Sequence, residues 1–285
     1  MANADPIGGP CVQAILTDLE PILAGALPGQ IGLWARNLTT GQLVVHQAGA
    51  LFPPASTVKL AILYTLFRLA AAGALNLDDL LPLRAENQVA GSGVLRDLTP
   101  GITLPLRDYA DLMIVLSDNT ATNQLLDVVG LEAVASDLAA LGLHSTRVNR
   151  KIVSTSSDVP LGEATPADLG RLLELIVREQ VLTPAACRAM LAMLERQRHP
   201  HMLTRHIPEF YADPPAVRVA SKGGWIRGTR NDVGAFFTPR GHYVLAVMSQ
   251  GLTDLRPHPD NVGELALARI GALFYQHWGR PEVPT

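Results

Sequence analysis

The chain has 285 residues, 48% of them hydrophobic and 17% charged, enough apolar material for a large core in two domains or one composite unit. Its 23 basic and 26 acidic side chains leave a net charge of −3, so there is no electrostatic footprint for nucleic acid and no polybasic tail for an anionic membrane. No apolar run is long enough to span a bilayer.

The N-terminal MANADPIGGP has neither a basic nor an apolar segment of the kind a signal peptide needs. Val12, Ile15, Leu16, Leu19 and Leu23 then recur at helical spacing over residues 12–26. Residues 30–37 and 42–46 alternate as two strands of a hairpin, with Thr39-Thr40-Gly41 as the turn. Pro53-Pro54 stops any strand and precedes a helix from near Ser56 to Ala72, apolar nearly all round and therefore expected to be buried, with Gly73 at its end. Residues 91–95 form a Gly/Ser loop. Helices are expected over 106–116, 119–129 and 131–141, and residues 147–165 read as a long loop. Pro166 and Pro184 each open a helix at its first turn, running to about Gln180 and Glu195. Strands follow over 217–224, 232–238 and 243–250, with Pro239-Arg240-Gly241 turning the last pair, and a helix over 263–277 closes the chain. Strands at both ends with helices between them imply an α/β unit built from both termini, residues 1–51 and 211–285, around an all-α lobe, residues 52–210, with a cleft between them. Cys11 and Cys187 lie far apart; two unpaired, mostly buried thiols are expected, with a single disulfide as the alternative in an exported protein.

Three short motifs carry the chemistry: Ser56-Thr57-Val58-Lys59, Ser117-Asp118-Asn119 and Lys222-Gly223-Gly224. A serine hydroxyl is a poor nucleophile until a base stands beside it. Residues i and i+3 of a helix share a face, so Ser56 presents its Oγ beside the Lys59 amine. That amine accepts a proton only if its pKa is lowered, and burial and a second cation, Lys222, both lower it. The positive end of the helix favours negative charge developing at the nucleophile.

In order, spacing and setting these motifs resemble those of the penicillin-recognising serine hydrolases, and among them the class A β-lactamases and penicillin-binding D-peptidases. The resemblance runs from about Leu51 to Tyr243. It implies the β-lactamase/transpeptidase-like fold, an α/β (α+β) architecture with a five-stranded antiparallel sheet, flanking helices and an all-α lobe. It also implies that the backbone N–H groups of Ser56 and Trp225 form the oxyanion hole, that Ser117 relays a proton to the leaving nitrogen, that Asn119 holds the substrate amide, and that Lys222 attracts a substrate carboxylate. No metal and no organic cofactor is implied, and the partners are small β-lactam or D-peptide substrates of a monomer. The family works outside the cytoplasm, so the implied protein is exported after loss of a leader, or cytoplasmic if the chain is complete as it stands.

Two departures alter the expectation. Class A enzymes carry an Arg, an aromatic residue and then a Glu whose carboxylate activates the deacylating water. Here Arg150 fits the Arg, Lys151 takes the aromatic position and Ile152 takes that of the Glu. Glu163 and Asp158 are the acids left nearby; either could reach inward, or Glu163 could close the loop against Arg150. The family also has Thr or Ser, with a carboxylate-binding hydroxyl, where this chain has Gly223, which could equally be an adjustment to bulky Trp225. Thr229 and Arg230, across the turn from Lys222, are the candidate replacements, Arg230 being otherwise a surface arginine. His199, His201 and His206 cluster without a helical i, i+4 pair or accompanying acids, so no metal site is expected. The resulting expectation is a class A-like serine hydrolase that acylates but deacylates slowly. The alternatives are a D-alanyl-D-alanine peptidase or esterase, and a sensor that stays acylated.

Overall fold

The computed structural model describes residues 9–26, 29–153, 160–199 and 202–281. One antiparallel sheet of five strands organises them, in the order β2-β1-β9-β8-β7. Its first pair is the hairpin β1 (Gln30–Asn37) and β2 (Leu43–His46), joined through residues 39–41. The other three strands form a meander much further along the chain, β7 (Arg218–Ile226), β8 (Thr229–Thr238) and β9 (Gly241–Gln250), and β9 pairs with β1 from Gln30↔Gln250 to Asn37↔Tyr243. Two short ribbons complete the strands: β3 (Leu80–Pro82) with β4 (Thr103–Pro105), and β5 (Arg147–Val148) with β6 (Gly162–Glu163).

Strand alternation divides the core in two. Ile31, Leu33 and Ala35 of β1 and Leu245 and Val247 of β9 pack towards α1 (Pro10–Ala26) and α8 (Val262–Phe274). Trp34, Val244 and Ala246 point the other way, towards α6 (Pro166–Val177) and the remaining helices. Those are α2 (Lys59–Ala71), α3 (Leu106–Val115), α4 (Asn119–Val129), α5 (Leu131–Ala140) and α7 (Pro184–Glu195). Helix α2 is buried without a break from Lys59 to Phe67, as its all-round apolar sequence requires.

Helix starts follow local chemistry. Thr165 and Thr183 accept from the backbone N–H of Asp168 and Ala186, each beside a first-turn proline, and Asp118 accepts from Ala121 N–H at the head of α4. Besides the β3–β4 ribbon, which the sequence did not announce, other features differ from the sequence expectation. The segment 55–58 is a 3₁₀ turn ahead of α2, not the first turn of an α-helix, because the chain arrives through Pro53-Pro54 with Ala55 in the left-handed region at φ +48°. The supposed loop 147–165 begins and ends in the β5–β6 ribbon. The last helix stops at Phe274 and continues as a π turn, Tyr275–Gly279. Cys11 and Cys187 are both free thiols. Among the described residues no helix is long and apolar enough to cross a membrane.

Candidate active site

The cleft forms where the 3₁₀ turn Ala55–Val58, the α3–α4 junction and the edge strand β7 meet. Ser56 is the second residue of that turn. Asn231 on β8 pins the turn to the sheet: its amide Nδ2 donates to the carbonyls of Pro53 (2.8 Å) and Pro54 (3.1 Å). Its register partner is Gly224, and a Cβ there would sit 2.6 Å from Ser56 N and 2.9 Å from Thr57 N. Only glycine lets the strand approach the turn this closely. The contact brings the Ser56 backbone N–H beside the edge of β7, where Trp225 follows.

Lys59, fully buried one turn on from Ser56, aims its amine at the second motif. Nζ donates to Ser117 O at 2.7 Å, to Asn119 Oδ1 at 3.0 Å and to Ser117 Oγ at 3.1 Å. Burial drives the Lys59 pKa well below the ordinary lysine value; Lys222 lowers it further, against a smaller opposing pull from Asp118. Ser117 is the residue that turns the corner between α3 and α4, with φ +53°. Non-glycine residues in the left-handed region carry a strain of about 1–3 kcal/mol and cluster at functional sites; here Ala55 and Ser117 bracket the two hydroxyls. Asp118 does not enter the cleft. Its buried carboxylate accepts from Ala121 N–H and from the N–H groups of Val94 (2.7 Å) and Leu95 (2.9 Å), so it caps α4 and fastens the 91–95 loop at once. Asn119 Nδ2 donates to Ala90 O at 3.2 Å, immediately before that loop.

Lys222 is 1% exposed and donates to Gly223 O at 2.7 Å. Burial lowers its pKa to about 7, partly offset by the carboxylate of Asp232. Asp232, buried in turn, is raised to about 6 and accepts from Leu203 N–H at 3.2 Å.

Two adjoining compartments flank Ser56. The smaller is lined by Ser56, Ser92, Ser117, Lys222 and Gly223, together with Met202 and His199. The larger, about 550 Å³, is lined by Ser56, Asn119, Ile152, Leu161, Trp225 and Ile226. Among the described residues, no Asp or Glu lines either one. Ile152 stands at the wall of the larger compartment, with its main chain held by Asn123 through N–H to Oδ1 (2.8 Å) and Nδ2–H to O (2.9 Å). Lys151 is tied to Asp127 and to Asn87 Oδ1. Glu163 is paired with Arg147 (2.8 Å), not turned towards Ser56, and Asp158 lies outside the described residues.

The structure thus brings together Ser56, Lys59, Ser117, Asn119, Lys222, Gly223, Gly224 and Trp225, but not the two replacements expected for the missing hydroxyl. Arg230 is 1% exposed: Nε donates to Glu264 (3.0 Å), Nη1 to the carbonyls of Ile226 and Thr229, and Nη2 to that of Arg256. The alternation of β8 explains this, since Arg230 takes the face opposite to Asn231 and its guanidinium is spent on α8 and on the hairpin's own carbonyls. Thr229 is 2% exposed and lines neither compartment. Sequence reasoning missed Asn231 and weighed His199 only as a metal ligand, not as a residue lining this cleft. For Asn231 a signal existed, the period-2 pattern that puts it on the Lys222 face. His199 lies in an aperiodic segment and offered none. No group of three or more acidic, His or Cys side chains suited to a metal occurs among the described residues.

A five-stranded antiparallel sheet with helices on both faces, and at its edge a partly exposed Ser56 beside the buried Lys59, Ser117 and Lys222, define a class A β-lactamase-like fold and cleft. The chain belongs to the β-lactamase enzyme family, whose model it matches over residues 14–278. It is 31% identical to a β-lactamase of Streptomyces lavendulae over 96% of this chain and 88% of that protein. It is 29% identical to β-lactamase L2 of Stenotrophomonas maltophilia, where the match spans 58% of this chain and 55% of that one. Among solved structures, a β-lactamase from Sphaerobacter thermophilus superposes with a TM-score of 0.83 at 34% identity, covering 93% of this chain and 96% of that. PBP-A superposes with a TM-score of 0.79 at 26% identity, covering 91% and 95%, and a PBP-A variant captured as an acyl-enzyme with penicillin G does so at 0.81 and 25%, covering 93% and 96%. Family and fold together support a class A-like β-lactam hydrolase.

Proposed function

We propose that this protein is a serine hydrolase that opens β-lactams or related amides through an acyl-enzyme on Ser56 and deacylates slowly. The observation that carries this reading is the buried contact of Lys59 Nζ with Ser117 Oγ at 3.1 Å, with Lys59 one turn beyond Ser56 and beside a second buried amine. Burial and Lys222 favour the neutral amine of Lys59, which is the form able to take the Ser56 proton. As Ser56 Oγ bonds to the substrate carbonyl carbon, the proton passes to Lys59. The carbonyl oxygen gains negative charge facing the N–H groups of Ser56 and Trp225. Ser117, already hydrogen-bonded to Lys59, then delivers the proton to the leaving nitrogen as the carbon–nitrogen bond breaks. Asn119 is held between Lys59 and Ala90, which orients its amide for the substrate's acylamino group.

The second half of the cycle needs a base for water, and Ile152 cannot act as one. Glu163 is engaged with Arg147, and the lining of the cleft carries no described carboxylate. That observation favours a second reading on the same chemistry: a D-alanyl-D-alanine peptidase or esterase, or a sensor that remains acylated. A Leu-to-Glu variant of PBP-A was captured as a penicillin G acyl-enzyme, so a cleft of this fold can hold such an intermediate.

Intact-mass analysis after incubation with benzylpenicillin tests the proposal. The wild type is expected to gain one adduct, and Ser56→Ala, which loses only a hydroxyl, none. An adduct of equal yield on Ser56→Ala would refute the assignment of the nucleophile.

A further inference from the structure

The turn that carries Ser56 is strained. Ala55 sits in the left-handed region at φ +48°, which is harder for a side chain than for glycine. The peptide group ahead of it is fixed at its oxygen. Pro54 O accepts from Thr57 N–H (3.1 Å) and Thr57 Oγ1 (2.6 Å), both within the turn, and from Asn231 Nδ2 (3.1 Å), which comes from the sheet. The same Nδ2 donates to Pro53 O at 2.8 Å.

The other end of the Asn231 amide is committed as well. The register between β8 and β9 runs from Thr238↔Gly241 only as far as Asp232↔Val247. One residue past its end, Asn231 Oδ1 accepts the N–H of Ser249 at 2.9 Å, where a strand would use a main-chain carbonyl. Beside it, Ser249 Oγ donates to Arg230 O (2.6 Å) and accepts from Arg230 N–H (2.9 Å). A side-chain amide offers two hydrogens and an acceptor oxygen, and here all of them are used in a fully buried site. One side chain thus joins β8, β9 and the turn, while Gly224, its register partner on β7, packs against the turn's nitrogens. Asn231 itself lines neither compartment of the cleft.

We infer that Asn231 is a positioning residue for acylation: it clamps the Pro54–Ala55 peptide, so that Ala55 keeps its left-handed conformation and the Ser56 N–H stays aligned with that of Trp225. It touches no substrate and acts through the turn. The inference rests on the acyl-enzyme reading proposed above.

The test is a double-mutant cycle on acylation by benzylpenicillin. Rapid-quench intact mass over a range of concentrations separates the limiting rate from the half-saturating concentration. Asn231→Ala is expected to lower the limiting rate by about tenfold or more, the weight of one or two lost hydrogen bonds. The half-saturating concentration is expected to stay within about threefold, because the two N–H donors act on charge that develops only as the bond forms. Ala55→Gly added to Asn231→Ala is expected to recover about fivefold of the lost rate, since glycine holds the left-handed conformation without a clamp. If Asn231→Ala does not fold, Asn231→Ser, whose hydroxyl can donate to one carbonyl at most, is expected to show the same pattern to a smaller degree. A role confined to stability would appear in urea unfolding and leave the limiting rate of the folded protein unchanged. An unchanged limiting rate, or a loss that Ala55→Gly does not lessen, overturns the inference and leaves the Ser56 reading intact. So does a loss confined to the half-saturating concentration. No adduct on the wild type overturns the acyl-enzyme reading, and this inference with it.

Discussion

Two amines buried in one cleft each disfavour the other's charge, and this shapes both chemistry and stability. Lys59 and Lys222 titrate near 10.5 when unperturbed, whereas burial brings Lys222 down to about 7 in the folded protein and Lys59 well below its ordinary value. Where the folded pKa is depressed, the unfolded chain binds more protons between the two pKa values, and stability rises with pH across that window. The penalty of a charged Lys222 is thus full below about pH 7 and relieved between about 7 and 10.5. Urea unfolding of wild type and Lys222→Met at pH values from about 7 to 9.5 checks this, with the variant expected to show the shallower rise; equal slopes would mean that Lys222 stays charged in the fold. The same logic predicts that Lys59→Met retains the fold and loses acylation by about 10²–10⁴-fold, the usual weight of a positioned base, as read by rates of penicillin adduct formation.

At the scale of elements, the geometry of the cleft depends on how β7 docks against the 3₁₀ turn. Gly224→Ala would place a methyl against the backbone nitrogens of Ser56 and Thr57, and neither can move without shifting a main chain. Overpacking of this kind costs about 1–3 kcal/mol. The expected outcome is a small loss in urea unfolding beside a fall in acylation of about tenfold or more, since the carbonyl then sits off its two donors; an unaltered acylation rate would show that strand and turn need not touch. Much of this architecture was legible beforehand. Pro166 and Pro184 announced the helices they open, and the apolar runs of β1, β8 and β9 their strands. The 3₁₀ turn was not, because Ala55 in the left-handed region is imposed by tertiary contact and violates its local preference. Neither was the β3–β4 ribbon, whose three-residue strands Leu80–Pro82 and Thr103–Pro105 are too short for a period and end in proline. Within the site, the motif residues were readable because their spacing carries the chemistry. The fate of Arg230 was not, because its partners Glu264 and Arg256 lie 26 or more positions away in sequence.

Across the whole molecule, the sheet unites both ends of the chain, and the site lies where its edge meets the helices emerging from the middle of the sequence. The segment carrying Ile152 reaches that junction as a tethered wall. Asn123 holds its backbone from α4, and Lys151 is tied to Asp127 on the same helix. Because the tether is main chain to Asn123, Ile152→Glu should keep the backbone in place and present a carboxylate to the larger compartment. Deacylation of that variant is expected to quicken by about tenfold or more, within the range of general-base assistance, measured by the decay of the adduct mass after removal of free penicillin. An adduct as long-lived as the wild type's would mean that position 152 does not face the acyl carbonyl.

The lifetime of the wild-type acyl-enzyme is the most direct measurement of all. Stopped-flow mixing with benzylpenicillin, followed by intact mass and peptide mapping, reports formation, site and decay in one experiment. The account predicts a single adduct on the peptide containing Ser56 that persists well beyond a second. An adduct on another residue, or none, would contradict the nucleophile; an adduct on Ser56 that clears in well under a second would show that some group other than Ile152 activates water, and that this cleft turns over β-lactams without the usual glutamate.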